Sequence, residues 1–298
     1  MMVQLDGSHH DWLEGRGPKL VLMGIIDDAT NMVEARFYDH EGTIPALDSI
    51  RRWVQRYGIP ASVYLDKHTT YRSPQLPSPE EQLQGLERSQ SQFERAMSEL
   101  GVEVIHAHSP AAKGRIERLF GTFQDRLIKE MRLARVASLS EANRFLQHYL
   151  PGYNQRFRVE PAQSTDLHRR RPRQLDLDSV LCLKTLRRLN EDSTVIHQGK
   201  VYLVTDRLQA QTILVEQWLD GSVHLRHHGH RLRYREVPHR PRKASIPVSP
   251  SRPKPRLYRP AVDHPWRSSN SRMVATPRSS PLTGRFSRGD PPPSQHLR

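Results

Sequence analysis

The chain carries a single cysteine, Cys182, among 298 residues. It can form no disulfide within itself and no cysteine-based zinc site, which suits a reducing compartment. Long apolar runs are missing too. The longest, near Leu20–Ile26, is far too short to cross a bilayer as a helix. The first ten residues, MMVQLDGSHH, lack the basic and apolar regions of a signal peptide. Hydrophobic residues make up only 36% and the mean hydropathy is −0.72, so part of the length is predicted to lie outside any packed core. Acidic residues are the scarcer charge, 32 against 46 Lys and Arg. The resulting net charge of +14 and pI of about 10.3 favour a polyanionic partner, most simply nucleic acid.

The positive charge is unevenly spread. Residues 238–298 hold 13 Lys/Arg against 2 Asp/Glu, and 13 of the 23 prolines. Such a Pro/Arg/Ser-rich stretch reads as a disordered basic tail, either a salt-sensitive tether on DNA or a solvated extension. Residues 1–237 are nearly balanced.

Within that part the apolar pattern alternates between short runs and helical stripes. Val3–Asp6 reads as the end of a strand, followed by a polar turn through Gly7–Gly17. Lys19–Ile26 reads as a buried strand and Val33–Tyr38 as its antiparallel neighbour. Thr43 to Gly58 reads as a helix with Pro45 in its first turn. Ala61–Leu65 is a fourth strand, and one that follows a crossover helix would lie parallel in the same sheet. Glu80–Leu100 is a helix with a sparse apolar stripe and Val102–Ala107 a fifth strand. Pro110–Met131 is a strongly amphipathic helix: Ile116, Leu119, Phe120, Phe123, Leu127 and Met131 form a stripe to bury, while Lys113, Glu117, Gly121 and Gln124 share a polar face. Ser138–Glu141 is a capping box opening a helix toward Tyr153. His168–Arg173 is a basic linker, and Val180–Leu189 a short helical stretch. Five alternating segments between Thr194 and Tyr234 then suggest a small β-barrel.

Asp6 and Asp66 each end a predicted strand, and Glu117 lies in the first turns of a helix. If the first and fourth strands are neighbours, both aspartates emerge at one sheet edge and the helix can bring Glu117 alongside. Three such carboxylates repel one another unless cations neutralise them, and hard oxygen ligands suit Mg²⁺ or Mn²⁺. Two ions roughly 3.5–4 Å apart can activate an attacking oxygen and stabilise a leaving one in phosphoryl transfer.

Three local patterns, Gln4-Leu5-Asp6-Gly7-Ser8, Tyr64-Leu65-Asp66 and Ser109–Arg118, together with the turn Gly24–Thr30, resemble DDE transposases and retroviral integrases of the RNase H-like superfamily. The resemblance covers about residues 1–160 and is strongest to bacterial insertion-sequence transposases of the ISNCY type. It implies an α/β fold with an RNase H-like mixed five-stranded sheet flanked by helices. It implies a metal-binding triad of Asp6, Asp66 and Glu117 holding two Mg²⁺ or Mn²⁺ ions. It places Lys113 on DNA near the scissile phosphate; Arg115 and Arg118, at the same helix start, are either further phosphate contacts or solvated charges. The implied activity is cleavage and transfer of DNA at transposon ends, by a homo-multimer on transposon-end and target DNA, in a bacterial cytoplasm near the nucleoid. Expected boundaries are 1–135 for the catalytic core, 136–175 for a helical connector and linker, 176–237 for a β-barrel contacting DNA, and 238–298 for the tail.

Two departures stand out. Asp66 and Glu117 are 51 positions apart, a wide spacing for the family with Ser73–Leu100 as the apparent insertion. The first catalytic strand begins at residue 3, where relatives carry helix-turn-helix domains first, so a truncated or separately started product is expected. Alternatives on the same residues are an RNase H-like nuclease or resolvase, and a non-catalytic DNA-binding remnant that regulates a full-length transposase. Among single residues, Asp27 and Asp28 read as turn formers, Trp12 and Trp53 as packing residues, and Trp218 and Tyr234 as barrel core. His9-His10-Asp11 and the pair His106 and His108 have the spacing of transition-metal ligands but no third partner.

Overall fold

A computed structural model describes residues 1–66, 89–106, 114–163 and 165–238, all within one compact unit, Met1–Lys243. Lys113, His68, His108, the first part of the expected Glu80–Leu100 helix and the basic tail after Pro238 lie outside the described residues.

Five strands form the central sheet: β1 (Met2–His10), β2 (Leu20–Asp27), β3 (Val33–Tyr38), β4 (Ser62–Leu65) and β5 (Glu103–His106). Their order is β3-β2-β1-β4-β5. The first three are antiparallel neighbours, whereas β1 pairs in parallel with β4, and β4 with β5. This mixed arrangement is the RNase H-like fold. Strand β2 is buried along its whole length, as an apolar run between two helical layers should be.

Strand β1 departs from expectation. It does not stop at Asp6 but continues through Gly7, Ser8 and His9 to His10, because β2 supplies antiparallel partners as far as Leu20. The polar composition that suggested a turn is that of a strand outrunning its parallel neighbour, and the turn itself falls at residues 12–17.

The alternation of β2 assigns its side chains to two cores. Val21, Met23 and Ile25 pack with Val3, Leu5, Val63 and Leu65 under α1 (Thr43–Tyr57) and α2 (Gln92–Leu100), whose Leu47, Ile50, Trp53, Phe93 and Met97 close that layer. Leu20, Leu22 and Ile26 face α3 (Gly114–Leu133) and α4 (Leu139–Phe157). The whole predicted stripe of α3, from Ile116 to Met131, is buried there, and Trp12 and Trp53 are fully buried. Helix α1 begins after Gly42 without a side-chain cap, and Gly58 closes it with φ at +104°, a backbone that favours glycine. Helix α2 opens on a capping box formed by Ser91 and Glu94.

Past α4 the chain returns across the core. His168 accepts the indole N–H of Trp53 at 3.2 Å, and the Arg169 guanidinium donates to the carbonyls of Leu100 and Gly101 at 2.8 Å each. Two residues of the basic linker therefore act as a strap. The stretch expected to be helical from Val180 to Leu189 is instead one turn, α5 (Leu177–Val180), followed by strand β6 (Leu183–Arg188). Asp176 caps that turn, and β6 then finds a long antiparallel partner in β9 (Thr212–Gln217). Strands β6, β9, β10 (Val223–His227) and β11 (His230–Arg231) form a four-stranded sheet; β7 (Thr194–His197), β8 (Lys200–Val204) and β12 (Tyr234–Val237) form a three-stranded one. The two share a core of Val195, Tyr202, Val204, Ile213, Val215, Leu225 and Leu232. No strand pairing among the described residues closes them into the single barrel the sequence suggested. Trp218 is only half-buried, covered by Arg231 and His224, so it is not a core residue. Tyr234, also half-buried, meets the ring of Tyr202 edge-on.

Candidate active site

Strands β1 and β4 are joined in parallel at Met2–Ser62, Val3–Val63 and Gln4–Tyr64. Continuing that register by two residues sets Asp6 level with Asp66, on strands that lie roughly 4.8 Å apart in a sheet. Asp66 is the first residue past β4, and both aspartates are half-buried. Asp6 lies inside β1 rather than at its end, two residues past the last parallel pair, Gln4–Tyr64.

The polar face of α3 is directed at the same strand. Gln4 accepts the backbone N–H of Ile116 at 3.2 Å, and the Gln124 amide reaches the Ser8 hydroxyl at 3.4 Å. Gln4, Asp6 and Ser8 share one side of β1, so Asp6 stands between two points of attachment to the helix. Glu117, Gly121 and Gln124 form one strip of α3, and its last member is the one that touches Ser8. Gly24 pairs with Asp6 across β1 and β2, and a Cβ placed on Gly24 would fall 3.0 Å from the Phe120 ring. The helix thus crosses close above the sheet at the level of Asp6. A Cβ on Gly121 would meet nothing within 4 Å, so the strip keeps open space between Glu117 and Gln124.

Glu117 itself is exposed. Among the described residues, no three His, Cys, Asp or Glu side chains are gathered closely enough to hold one metal ion. Extending the β1–β4 register would set the two aspartates side by side, and Glu117 lies on the strip of α3 that ends at Gln124, without joining them in a closed cluster among the described residues.

The basic candidates separate. Lys113 is outside the described residues. Arg118 is exposed at the start of α3. Arg115 is engaged within the fold: its Nε lies 2.8 Å from Asp28 Oδ1 and its Nη1 donates to Asn31 at 2.9 Å. Asp28 also accepts from the Gln4 amide at 3.1 Å, and Asp27 accepts from the Thr30 backbone N–H at 3.0 Å. Both aspartates serve the β2–β3 turn, as expected, but Asp28 does more by tying that turn to α3.

His106, singled out in the sequence only by its spacing to His108, and Glu94, not singled out at all, lie beside Asp66. The His106 ring lies 3.4 Å from the Asp66 carbonyl and 3.1 Å from the Glu94 carboxylate. Glu94, buried at the start of α2, therefore fixes a histidine beside the second aspartate. His9 meets Glu41 at 2.7 Å in a cleft of about 750 Å³ that His10, Asp11 and His40 also line. Only spacing could have flagged these histidines, since their partners are distant in sequence.

No family model matches the chain. Sequence relatives do. A protein named as the transposase y4bF of Sinorhizobium fredii is 35% identical over 243 residues, covering 78% of this chain and 51% of that protein. The transposase for insertion sequence IS1202 of Streptococcus pneumoniae is 27% identical over 278 residues, covering 89% and 57%. The chain therefore spans little more than half the length of the curated relatives it matches. Solved structures that overlap it include the catalytic core of BIV integrase, 16% identical with a TM-score of 0.38, covering 52% of this chain and 84% of that one. Another is an intasome of simian T-cell lymphotropic virus with a PP2A regulatory subunit, 15% identical with a TM-score of 0.42, covering 71% and 74%. These overlaps are partial, and the fold assignment rests on the strand order. The chain is similar in sequence to these two transposases, and its mixed sheet has the strand order of an RNase H-like fold.

Proposed function

We propose that this relative of the insertion-sequence transposases cleaves and transfers DNA strands by metal-dependent phosphoryl transfer, with Asp6, Asp66 and Glu117 as the ion-binding carboxylates. The observation that carries the reading is the parallel pairing of β1 and β4 at Met2–Gln4, whose extension would set Asp6 beside Asp66, with the helix strip that bears Glu117 tied to the same β1 strand through Gln124. The donor set is oxygen only, which suits Mg²⁺ or Mn²⁺ rather than zinc. When bound, two such ions would activate the attacking oxygen and stabilise the leaving one. The chain's own part is to hold the aspartates level on a rigid sheet and to bring Glu117 to them from α3. Lys113 and Arg118 are the proposed phosphate contacts beside the site, on transposon-end and target DNA. The working form is a homo-multimer assembled on that DNA. The three segments of the chain, 1–135, 136–175 and 176–237, act as core, connector and DNA-contacting β-module.

The test is Asp66→Asn in the full chain, assayed for Mg²⁺- or Mn²⁺-dependent nicking and strand transfer on DNA carrying the sequences that flank the gene. Cleavage should disappear while the melting temperature is retained, because Asp66 is not part of either core. Unchanged cleavage would overturn the assignment. One observation favours a second reading: the three carboxylates do not form a closed group among the described residues. On that reading the chain binds DNA without cutting it, and the wild-type protein would shift DNA in gels yet stay inert at every divalent-ion concentration.

A further inference from the structure

The start of α3 has an arrangement whose purpose the triad alone does not explain. The first N–H groups of a helix have no partner inside it and need one from outside. Here the N–H of Ile116 donates to the side-chain carbonyl of Gln4, a residue that is 2% exposed. The other end of that amide donates to Asp28 Oδ1, the same oxygen that lies 2.8 Å from Arg115 Nε. Arg115 then reaches back to Asn31, which sits in the β2–β3 turn with φ at +58°. Gln4 is two residues before Asp6 on the same side of β1, and Ile116 is one residue before Glu117. The loop of bonds Gln4–Asp28–Arg115–Ile116 therefore joins the strand of the first carboxylate to the helix of the third.

We infer that Asp28, Arg115 and Gln4 form a positioning latch that fixes the first turn of α3 and so sets how closely Glu117 approaches Asp6 and Asp66. The inference rests on the triad reading above and deepens it. It gives Arg115 a task inside the protein in place of a contact with DNA. A carboxylate on a helix end that can pivot is a poorer ligand than one held in place, as the partners that orient metal ligands show by costing roughly 10–100-fold in metal affinity when removed.

The experiment measures Mn²⁺ binding to the full chain with duplex DNA present, following the electron paramagnetic resonance signal of free Mn²⁺, and in parallel the Mn²⁺ concentration for half-maximal cleavage. Asp28→Ala and Arg115→Ala should each weaken Mn²⁺ binding by about 10-fold and raise the required concentration equally. The double variant should be no worse than either single one, since one unit is broken once. Arg115→Lys should restore part of the loss. DNA affinity without metal should not move, and all variants are compared at equal folded fraction. Asn31→Gly removes one acceptor while suiting the left-handed backbone, and should give a smaller shift in the same direction even if the alanine variants fold poorly. The latch is overturned if Mn²⁺ binding is unchanged in all of these, if the two alanine effects add, or if Arg115→Ala alone weakens DNA affinity. Asp66→Asn runs alongside. If it leaves Mn²⁺ binding and cleavage intact, the triad reading has failed; if it abolishes both while the Asp28 and Arg115 variants behave as wild type, only the latch has.

Discussion

The two faces of the central sheet are held by different forces. Under α1 and α2 the contact is apolar throughout its middle: Val3, Leu5, Val63 and Leu65 meet Leu47, Ile50, Trp53, Phe93 and Met97, each fully buried. The face beneath α3 and α4 also has an apolar centre, but polar side chains stitch the helices to the strands. Gln4 and Ser8 bond to α3, and on α4 Asn143 and Asn154 each use both ends of the amide on one residue of β3, the edge strand. Asn154 brackets Val33 at 2.8 Å and 2.8 Å, and Asn143 brackets Phe37 at 2.9 Å and 3.0 Å. Together they occupy the outward N–H and C=O groups of Val33 and Phe37, two residues of the edge, and leave less of it to pair with another chain. Apolar packing is strong but has little directional preference, whereas bidentate bonds fix a helix at one height along a strand. The fixed face is the one that carries Glu117.

The largest effect that tests this contrast is on the apolar side. Trp53→Ala should cost about 3–5 kcal/mol, through lost burial, the cavity left behind and the stranded partner His168. Denaturant titration measures the loss. If the proposed cleavage holds, it should keep its wild-type level per folded molecule, because the proposed carboxylates are not part of this apolar layer. A selective fall in activity per folded molecule would show that the two faces are not independent.

Asn154→Ala comes next. The side chain is 4% exposed, and its removal leaves the N–H and C=O of Val33 without their partner. An unsatisfied buried backbone group costs about 1–3 kcal/mol, so a loss of roughly 2–3 kcal/mol is expected after partial relaxation. If the edge is guarded as argued, the variant should also self-associate, visible as a concentration-dependent rise in sedimentation rate. A destabilised but monomeric variant would reduce Asn154 to a packing residue.

How much of this was legible beforehand follows from how far each feature reaches along the chain. The stripe of α3 was plain, since it is a local period and every member from Ile116 to Met131 is buried as expected. The succession of β1 to β5 along the chain followed from run lengths and turn residues, whereas the neighbourhood of the first and fourth strands stood only as a condition. The extension of β1 was not visible, because Gly7, Ser8, His9 and His10 look like a turn until β2 is known to pair with them. Asn143, Asn154 and Gln4 were passed over for the same reason: their partners lie 106, 121 and 112 residues away, and a lone amide in a sequence has no pattern. Glu117 was singled out by its residue type, its place on a polar helical strip and the family resemblance. The strip's direction was implied by the buried stripe beside it, whereas its attachment through Gln124 and Gln4 needed the fold.

The smallest test lies at the far end of α3. There Arg132 bonds to Glu14 in the β1–β2 connection, at 2.7 Å through its Nε, and Arg16 bonds to the same carboxylate at 2.7 Å. The hydrogen bonds from Arg132 and then Arg16 lower the Glu14 pKa from 4.5 to about 2. A carboxylate whose folded pKa is depressed stabilises the fold fully above its unfolded value and loses that contribution as pH falls through the folded one. The clamp should therefore be complete above about pH 4.5 and gone near pH 2. Because the pair is surface-exposed, the effect should be slight and should shrink with salt. Glu14→Gln should lower the melting temperature a little at neutral pH, with the gap to wild type closing as the pH approaches 2. A gap that persists at low pH would mean that Glu14 acts by shape rather than charge. That result would leave the polar attachments of α3 confined to Gln4, Ser8 and Asp28, at the end of the helix where Glu117 sits.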